Sequence, residues 1–137
     1  MSRTNITAEE GTVLNLDFRS LSSSVVGGTA MMLQSTHEID VPIAATFADD
    51  TSLTEIVFRL ACNDGTGAAD ERWDPVISTR QNGDTQAEHT ILPDDEVKTD
   101  RLQTVNHRNA RYTRVEAYKA GGDAKSGDSA VASANWR

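Results

Sequence analysis

A chain of 137 residues has the usual size of a single domain and is long enough to bury a hydrophobic core. Hydrophobic residues make up 37% and aromatic residues 5%, a composition that favours a thin two-layer fold over a thick globule. The formal net charge is -8, which makes phosphate backbones and anionic membranes poor partners. Composition therefore argues against nucleic acid and membranes as binding partners.

The single cysteine, Cys62, excludes an intrachain disulfide, and no Cys/His pair has zinc-finger spacing. No apolar stretch approaches the ~20 residues of a membrane helix. The first residues lack the apolar core of a secretion signal. We therefore expect a protein that is made in a cytoplasm.

The first half of the chain begins with a polar segment. Residues 1–10 predict a flexible N-terminal arm that orders against a neighbour, and residues 11–137 predict one domain. Apolar residues alternate from Val13 to Phe18 and again at Ile39, Val41 and Ile43, which is the period of a β-strand. Pro42 inside the second run predicts an edge strand or a bulge, because proline donates no ladder hydrogen bond.

The strongest alternation runs from Thr54 to Cys62. One side of this strand carries a hydrophobic set, which predicts a core face that includes the cysteine: Ile56, Phe58, Leu60 and Cys62. Farther along, Asn82-Gly83-Asp84 separates two β-prone runs and predicts a hairpin. Helical signals are weak: residues 69–72 could form one turn, and residues 97–106 a short helix or an extended crossing loop.

Two further strands are predicted near the end of the chain. Residues 111–119 alternate Thr113, Val115 and Ala117 with larger polar and aromatic side chains, and residues 130–136 form a last strand that ends at Trp136. Several short strands at regular spacing, separated by glycine-containing turns, predict an all-β fold. The predicted architecture is an antiparallel β-sandwich, jelly-roll-like, with the N-terminal arm outside it.

A search for catalytic chemistry finds no nucleophile elbow, phosphate-binding loop or dinucleotide fingerprint. The histidines His37, His89 and His107 lie in different segments and are interpreted as surface or loop residues. Adjacent acids such as Asp49-Asp50 are typical of solvated turns, with a loop calcium site as the alternative. We therefore expect no enzyme activity, no cofactor and no metal.

Two sets of side chains are candidates for binding. Trp73, Tyr112 and Tyr118 could form a stacking platform for sugar rings. Basic residues cluster in the last third of this acidic chain, which suggests self-contact between a basic strip and an acidic strip. The candidate assembly contacts are Arg111, Arg114, Trp136 and Arg137.

Three segments carry a resemblance to a known group of proteins. They are Cys62-Asn63-Asp64-Gly65-Thr66, Trp73-Asp74-Pro75-Val76 and Ala110-Arg111-Tyr112-Thr113-Arg114-Val115-Glu116. In this order they resemble small accessory virion proteins of tailed bacteriophages, and the Arg-Tyr strand is similar to one in discoidin-like sandwiches. The resemblance covers residues 52–119.

This resemblance implies a β-sandwich that decorates or cements a capsid, and a location in the virion after synthesis in the host cytoplasm. The implied partners are the major capsid protein, other virion proteins and further copies of the chain. Symmetric assembly favours a small module of this kind. Two alternatives remain open: a tail or fibre subunit, and a discoidin-like carbohydrate-binding or adhesion module that could also hold calcium.

Overall fold

The computed structural model describes residues 11–17, 25–32, 39–96, 98–104 and 111–136. All regular structure in these ranges is β. The strands are β1 (Gly11–Asp17), β2 (Val26–Gly27), β3 (Met31–Met32), β4 (Ile39–Thr46), β5 (Ile56–Asn63), β6 (Asp74–Val76), β7 (Ser78–Thr79), β8 (Thr85–Gln86), β9 (His89–Ile91), β10 (Thr99–Thr104), β11 (Tyr112–Lys119) and β12 (Ser129–Trp136). None of the described residues belongs to a helix that is long and apolar enough to cross a membrane.

The strands form two antiparallel sheets. Sheet A has the order β1-β12-β4-β10-β7-β8, and sheet B has the order β2-β11-β5-β6, with β3 also paired to β11 and β9 to β5. The longest ladder joins β5 to β11, from Ile56 opposite Lys119 to Asn63 opposite Tyr112. The chain changes sheets at Ile77, between β6 and β7.

The core lies between the sheets, because alternate residues of the central strands face inward. Sheet B contributes the predicted face of β5, together with Val115 and Ala117 of β11. Sheet A contributes Val41 and Ile43 of β4, Leu102 of β10, and Ala130 and Ala132 of β12. The predicted all-β antiparallel sandwich is therefore confirmed, and so is the burial of Cys62 in its core.

Two local predictions differ from the structure. Pro42 belongs to a central strand, since β4 lies between β12 and β10, and the register along β12 does not shift there. Pairing between β12 and β4 instead skips the positions opposite Val41 and Pro42, which fits a proline that has no N–H to donate. Residues 99–104 form strand β10 rather than a helix or a loop. The turn at residues 69 and 70 is closed by a hydrogen bond from the N–H of Glu71 to the carbonyl of Ala68.

Some predictions lie outside the described residues. They concern the N-terminal arm of residues 1–10, the terminal Arg137, and the histidines His37 and His107. Trp136 is described only as the last residue of β12, so its predicted contact stays a prediction.

Candidate functional site

The outer face of sheet B carries a group of charged and aromatic side chains that contact one another. Alternation along β11 places Thr113, Val115 and Ala117 inward, and Arg114, Glu116 and Tyr118 therefore point outward. The register of β5 sets Arg59 directly opposite Glu116. We call the set Arg59, Trp73, Glu88, Arg114, Glu116 and Tyr118 the outer network.

Glu116 is the centre of the outer network and is only 1% exposed. Arg59 Nε donates to Oε1 of Glu116 at 2.8 Å, and Arg114 Nε donates to Oε2 at 2.9 Å. A second guanidinium nitrogen of Arg114, Nη2, lies 2.7 Å from the same Oε2. Two arginines therefore compensate one buried carboxylate, as burial of a charge requires.

Arg114 is held from three further directions. Its guanidinium lies over the ring of Trp73, 4.3 Å from the centroid, and its Nη1 donates to the carbonyl of Ala69 at 3.3 Å. On the remaining side lies Gly27 of β2, where an added Cβ would overlap the guanidinium. This glycine leaves room for the guanidinium, because a Cβ at this position would force Arg114 to shift against Trp73 or Glu116.

Glu88 and Tyr118 extend the outer network to the next segment. Arg59 Nη1 lies 3.0 Å from Oε2 of Glu88, and the Tyr118 hydroxyl donates to the same oxygen at 2.8 Å. Burial and the hydrogen bond to Glu88 raise the pKa of Tyr118. Burial alone would lower the pKa of Arg59, but hydrogen bonds and charge from Glu116 and Glu88 outweigh it and raise that pKa.

The loop between β5 and β6 positions Trp73 beneath Arg114. The side chain of Asn63 accepts hydrogen bonds from the N–H groups of Gly65 and Gly67, at 2.8 and 3.1 Å. The indole Nε1 of Trp73 donates to the carbonyl of Ala68 at 3.0 Å. Gly67 adopts a φ of 80° and lies against the ring of Tyr112, where a side chain would collide.

The structure brings four of the sequence candidates to this one face: Trp73, Tyr112, Arg114 and Tyr118. Trp73 is 9% exposed and lies beneath Arg114, so it is not the open stacking surface that sugar binding was expected to use. Tyr112 and Tyr118 are half-buried, and their part in sugar binding stays a prediction. Arg111 is exposed just before β11.

Sequence reasoning missed Arg59, Glu116 and Gly27. Alternation puts Arg59 and Glu116 on the side of each strand opposite the core set, but it does not show that Glu116 is buried. The available signal was the pair of opposite charges, Arg59 and Glu116, on two strands with clear alternation, because directly opposed residues interact across a ladder. The sequence gives no signal for Gly27, because the side chain that requires a glycine there, Arg114, lies 87 positions away. The two residues meet because Gly27 pairs with Glu116 on β11.

His89 corrects the interpretation of the histidines as surface or loop residues. It is 2% exposed and faces the core from β9, opposite Phe58. Its Nε2 lies 3.0 Å from the carbonyl of Ser78 and 2.9 Å from the hydroxyl of the same residue, which belongs to sheet A. Its Nδ1 has no hydrogen-bond partner among the described residues. Burial lowers the pKa of His89, and the charge of Arg80 adds to this effect.

An open cleft of about 650 Å³ is bounded by the loops after β4 and β9 and carries Asp49, Asp94 and Lys98 among its lining residues. The acids Asp49 and Asp94 are exposed turn residues. Within the described ranges, no three His, Cys, Asp or Glu side chains are grouped as a metal site would require.

Comparison with known protein families finds no match, and neither does comparison with curated proteins. Among solved structures, the chain is similar to the SPBc2 prophage-derived protein YomS, with a TM-score of 0.53 and 11% sequence identity. The similarity covers 97% of this chain and 100% of the other. At this identity the likeness supports a shared fold.

Proposed function

We propose that this chain is a non-enzymatic structural protein of a bacteriophage particle, and specifically a capsid decoration or cement protein. Its work is to bind protein surfaces, those of the major capsid protein and of further copies of itself. It needs no cofactor or metal for this role.

The observation that carries the proposal is the state of the outer network. Its charges and hydrogen bonds are directed at one another: Glu116 is matched by Arg59 and Arg114, and Glu88 by Arg59 and Tyr118. A catalytic or ligand-binding centre would direct such groups into a cleft. Here they stiffen a thin sandwich, which suits a protein that acts through its shape and surface.

The fold comparison supports the same proposal. The similar solved structure is that of a prophage-derived protein, and the likeness runs over nearly the whole of both chains. A phage origin also agrees with the resemblance of residues 52–119 to accessory virion proteins. A small sandwich of this kind can be placed in many copies on a symmetric shell.

The experiment is to purify phage particles from a lysate, detect this chain by mass spectrometry, and locate it by electron cryo-microscopy. We expect ordered copies on the outside of the capsid. Particles that lack the chain should lose DNA at a lower temperature than complete particles, because a cement protein stabilises the shell. Re-addition of the purified protein should restore the heat resistance.

Two results would overturn the proposal. Density in the tail or fibre would replace the cement role with that of a tail component. Absence from purified particles would remove the virion role altogether, and a glycan array would then test the carbohydrate-binding alternative, with Tyr112→Ala and Tyr118→Ala as the variants that should lose binding.

A further inference from the structure

A polar cleft of about 500 Å³ is lined by the turn that joins β7 to β8, the loop that follows β9 and the first residues of β10. Its volume falls within the range of small-molecule sites, roughly 300–1,000 Å³. We call it the hairpin cleft. Its lining includes Arg80, Gln81, Asn82, Asp95, Glu96 and Thr99.

Arg80 is held by part of its guanidinium and keeps a donor without a partner. Its Nε donates to Oδ2 of Asp100 at 2.6 Å, and its Nη2 donates to the carbonyl of Thr90 at 3.0 Å. Asp100 is itself held, because its Oδ1 accepts from the N–H groups of Gln81 and Arg101 at 3.0 and 2.8 Å. Nη1 of Arg80 makes no hydrogen bond within the described part of the chain. The guanidinium is therefore fixed in place with one group still able to donate.

Asn82 and Asp95 repeat this arrangement. Oδ1 of Asn82 accepts from the N–H of Asp84 at 2.9 Å, and its Nδ2 has no partner among the described residues. Oδ2 of Asp95 accepts from the N–H of Leu92 at 2.8 Å, and Lys98 Nζ donates to the carbonyl of Asp95 at 2.6 Å. In each side chain one polar atom holds the group in position, and the other is left for a ligand.

The hairpin cleft differs in this respect from the outer network of sheet B. Charges and hydrogen bonds of the outer network are directed at one another. Positioned side chains of the hairpin cleft keep donors and acceptors unused at a concave surface. Groups that are already fixed lose little freedom on binding, which favours a ligand.

The unused groups select a neutral ligand that is rich in hydroxyl groups. Arg80 and Asn82 offer donors, whereas Asp95 and Glu96 offer acceptors, and a sugar hydroxyl both donates and accepts. The lining carries one arginine against three carboxylates, those of Asp95, Glu96 and Asp100. This excess of negative charge disfavours phosphates and acidic sugars. A metal cation would leave the donors of Arg80 and Asn82 without partners.

The apolar part of the lining suits a sugar better than a peptide. Peptide sites commonly bury several apolar anchors or extend the edge of a sheet. Leu92 is the exposed large hydrophobic residue of this lining, at 39%, and offers apolar area to the C–H face of one sugar ring. Leu92 also lines the larger cleft that carries Asp49 and Asp94, so a saccharide of several units has room to extend.

We propose that the hairpin cleft binds a neutral saccharide. This activity goes beyond the cement role, because it adds attachment to glycans and uses none of the capsid contacts. The site is also separate from the aromatic set Trp73, Tyr112 and Tyr118 on the outer face of sheet B. Each site should bind weakly, since sugar hydroxyls exchange hydrogen bonds with water for those with the protein. Many copies on one particle would raise the effective affinity.

The test is titration of the full chain with maltotriose, mannotriose and triacetylchitotriose, followed by proton–nitrogen NMR, with trigalacturonate as the acidic comparison. We expect at least one neutral trisaccharide to bind with a dissociation constant below about 20 mM. It should shift the side-chain signals of Arg80 and Asn82 and leave the indole signal of Trp73 in place. Trigalacturonate should bind more weakly than the best neutral trisaccharide.

Two variants test the lining. Asn82→Asp removes the unused amide donor but keeps an oxygen that can accept from Asp84, so the turn should be retained. It should weaken binding of the best neutral trisaccharide at least about threefold, the effect of one lost hydrogen bond. Thr99→Val removes an exposed hydroxyl and should weaken binding by a similar factor. The matched control is Gln86→Glu, which adds the same charge as Asn82→Asp at an exposed position of β8 outside the lining, and it should bind like wild type.

Four results would overturn the proposal. They are no binding of any neutral trisaccharide at about 20 mM, tighter binding of trigalacturonate, shifts confined to Trp73, Tyr112 and Tyr118, and equal loss of affinity in Gln86→Glu and Asn82→Asp. The particle experiment fails independently of this one. A chain that is found on capsids but binds no saccharide keeps the cement role and loses this site. Saccharide binding by a chain that is absent from particles keeps the site and removes the cement role.

Discussion

The two outer faces of this sandwich arise from the same strand alternation but carry different kinds of side chain. The outer face of sheet B carries long charged and aromatic side chains that cover one another, so that Ala61 on this face is fully buried. The outer face of sheet A carries short, mostly uncharged residues, and Ala44 and Val131 remain exposed. One face is closed by its own side chains, and the other is open.

This difference separates stability from association. Loss of one partner from a buried ion pair, such as that of Glu116, strongly destabilises the fold. Exposed small residues contribute little to stability, yet they decide what another surface can contact. Substitutions on the sheet B face should therefore change the free energy of unfolding, whereas those on the sheet A face should leave it nearly unchanged.

Loss of Glu116 should have the largest effect. Glu116→Ala leaves Arg59 and Arg114 without their shared carboxylate, and their side chains are only 18% and 11% exposed. We expect the free energy of unfolding to fall by about 3–5 kcal/mol, the cost of an uncompensated buried charge. Urea unfolding followed by circular dichroism measures the change in the midpoint and the slope.

The control for this variant is Glu88→Ala, which removes the other carboxylate that contacts Arg59. Its side chain is 41% exposed, so the loss should stay below about 1 kcal/mol. If the two variants lose equal stability, the outer face of sheet B is not closed around Glu116 as described.

Gly27→Ala should have the next largest effect. The added Cβ overlaps the guanidinium of Arg114, which must then leave Trp73 or Glu116. We expect a loss of about 1–3 kcal/mol, typical of overpacking at a fixed site. The indole resonance of Trp73 should also shift in a proton–nitrogen NMR spectrum, because the cation over its ring has moved.

A matched glycine separates crowding from backbone strain. Gly83 has a φ of 95°, and a Cβ there would meet nothing within 4 Å. Gly83→Ala should therefore lose stability through strain alone and leave the Trp73 resonance in place. An unchanged Trp73 signal in Gly27→Ala would contradict the contact between β2 and Arg114.

Much of the fold could be predicted from the sequence, because period-two alternation reports which residues share a face. The core face of β5 was predicted correctly for this reason, and alternation along β11 separates Thr113, Val115 and Ala117, which the structure places inward, from the outward side chains. Strand β10 was missed because Leu102 is the only apolar residue among its six. Two residues before Leu102 lies Asp100, which pairs with Arg80. An ion pair therefore occupies the position where a strand pattern would show a second apolar residue.

The closed face of sheet B could be predicted only in part. Alternation places Arg59 and Glu116 outward, but it cannot show that another segment covers them. The long-range contacts come from Glu88, which lies 3.0 Å from Arg59, and from Trp73, whose ring lies against Arg114. Trp73 is positioned by a loop without periodicity, through its own hydrogen bond to the carbonyl of Ala68 and one from the side chain of Asn63 to the carbonyl of Arg72. Burial that depends on such long-range contacts has no local signature in the sequence.

The protonation of His89 reports on the layer of side chains between the two sheets. Burial, aided by the charge of Arg80, lowers its pKa below the ordinary 6.5, whereas the hydrogen bond to Ser78 and the charges of Asp100 and Asp84 act in the opposite direction. The folded state therefore binds this proton less well than the unfolded state does. The stability that neutral His89 contributes is present above pH 6.5 and is lost as the pH falls through 6.5 towards its lowered pKa.

The measurement is the free energy of unfolding of wild type and His89→Gln at intervals from pH 7.5 to 5. Wild type should lose stability on acidification more steeply than the variant, and the difference isolates His89 from the other titrating groups. Parallel curves would show that His89 is protonated equally well in both states and would contradict its neutral burial between the sheets.

The smallest effect on stability is expected at the open face. Val131 is 38% exposed and lies opposite Ala44 on the outer side of sheet A. Val131→Thr keeps a β-branched side chain of similar shape, so the free energy of unfolding should change by no more than about 0.5 kcal/mol. The same urea titration used for Glu116→Ala provides the comparison. An open residue can affect association while leaving the stability of the monomer unchanged. A loss above about 1 kcal/mol would therefore mean that Val131 is covered by other residues of its own chain. The division between a closed and an open face would then be wrong.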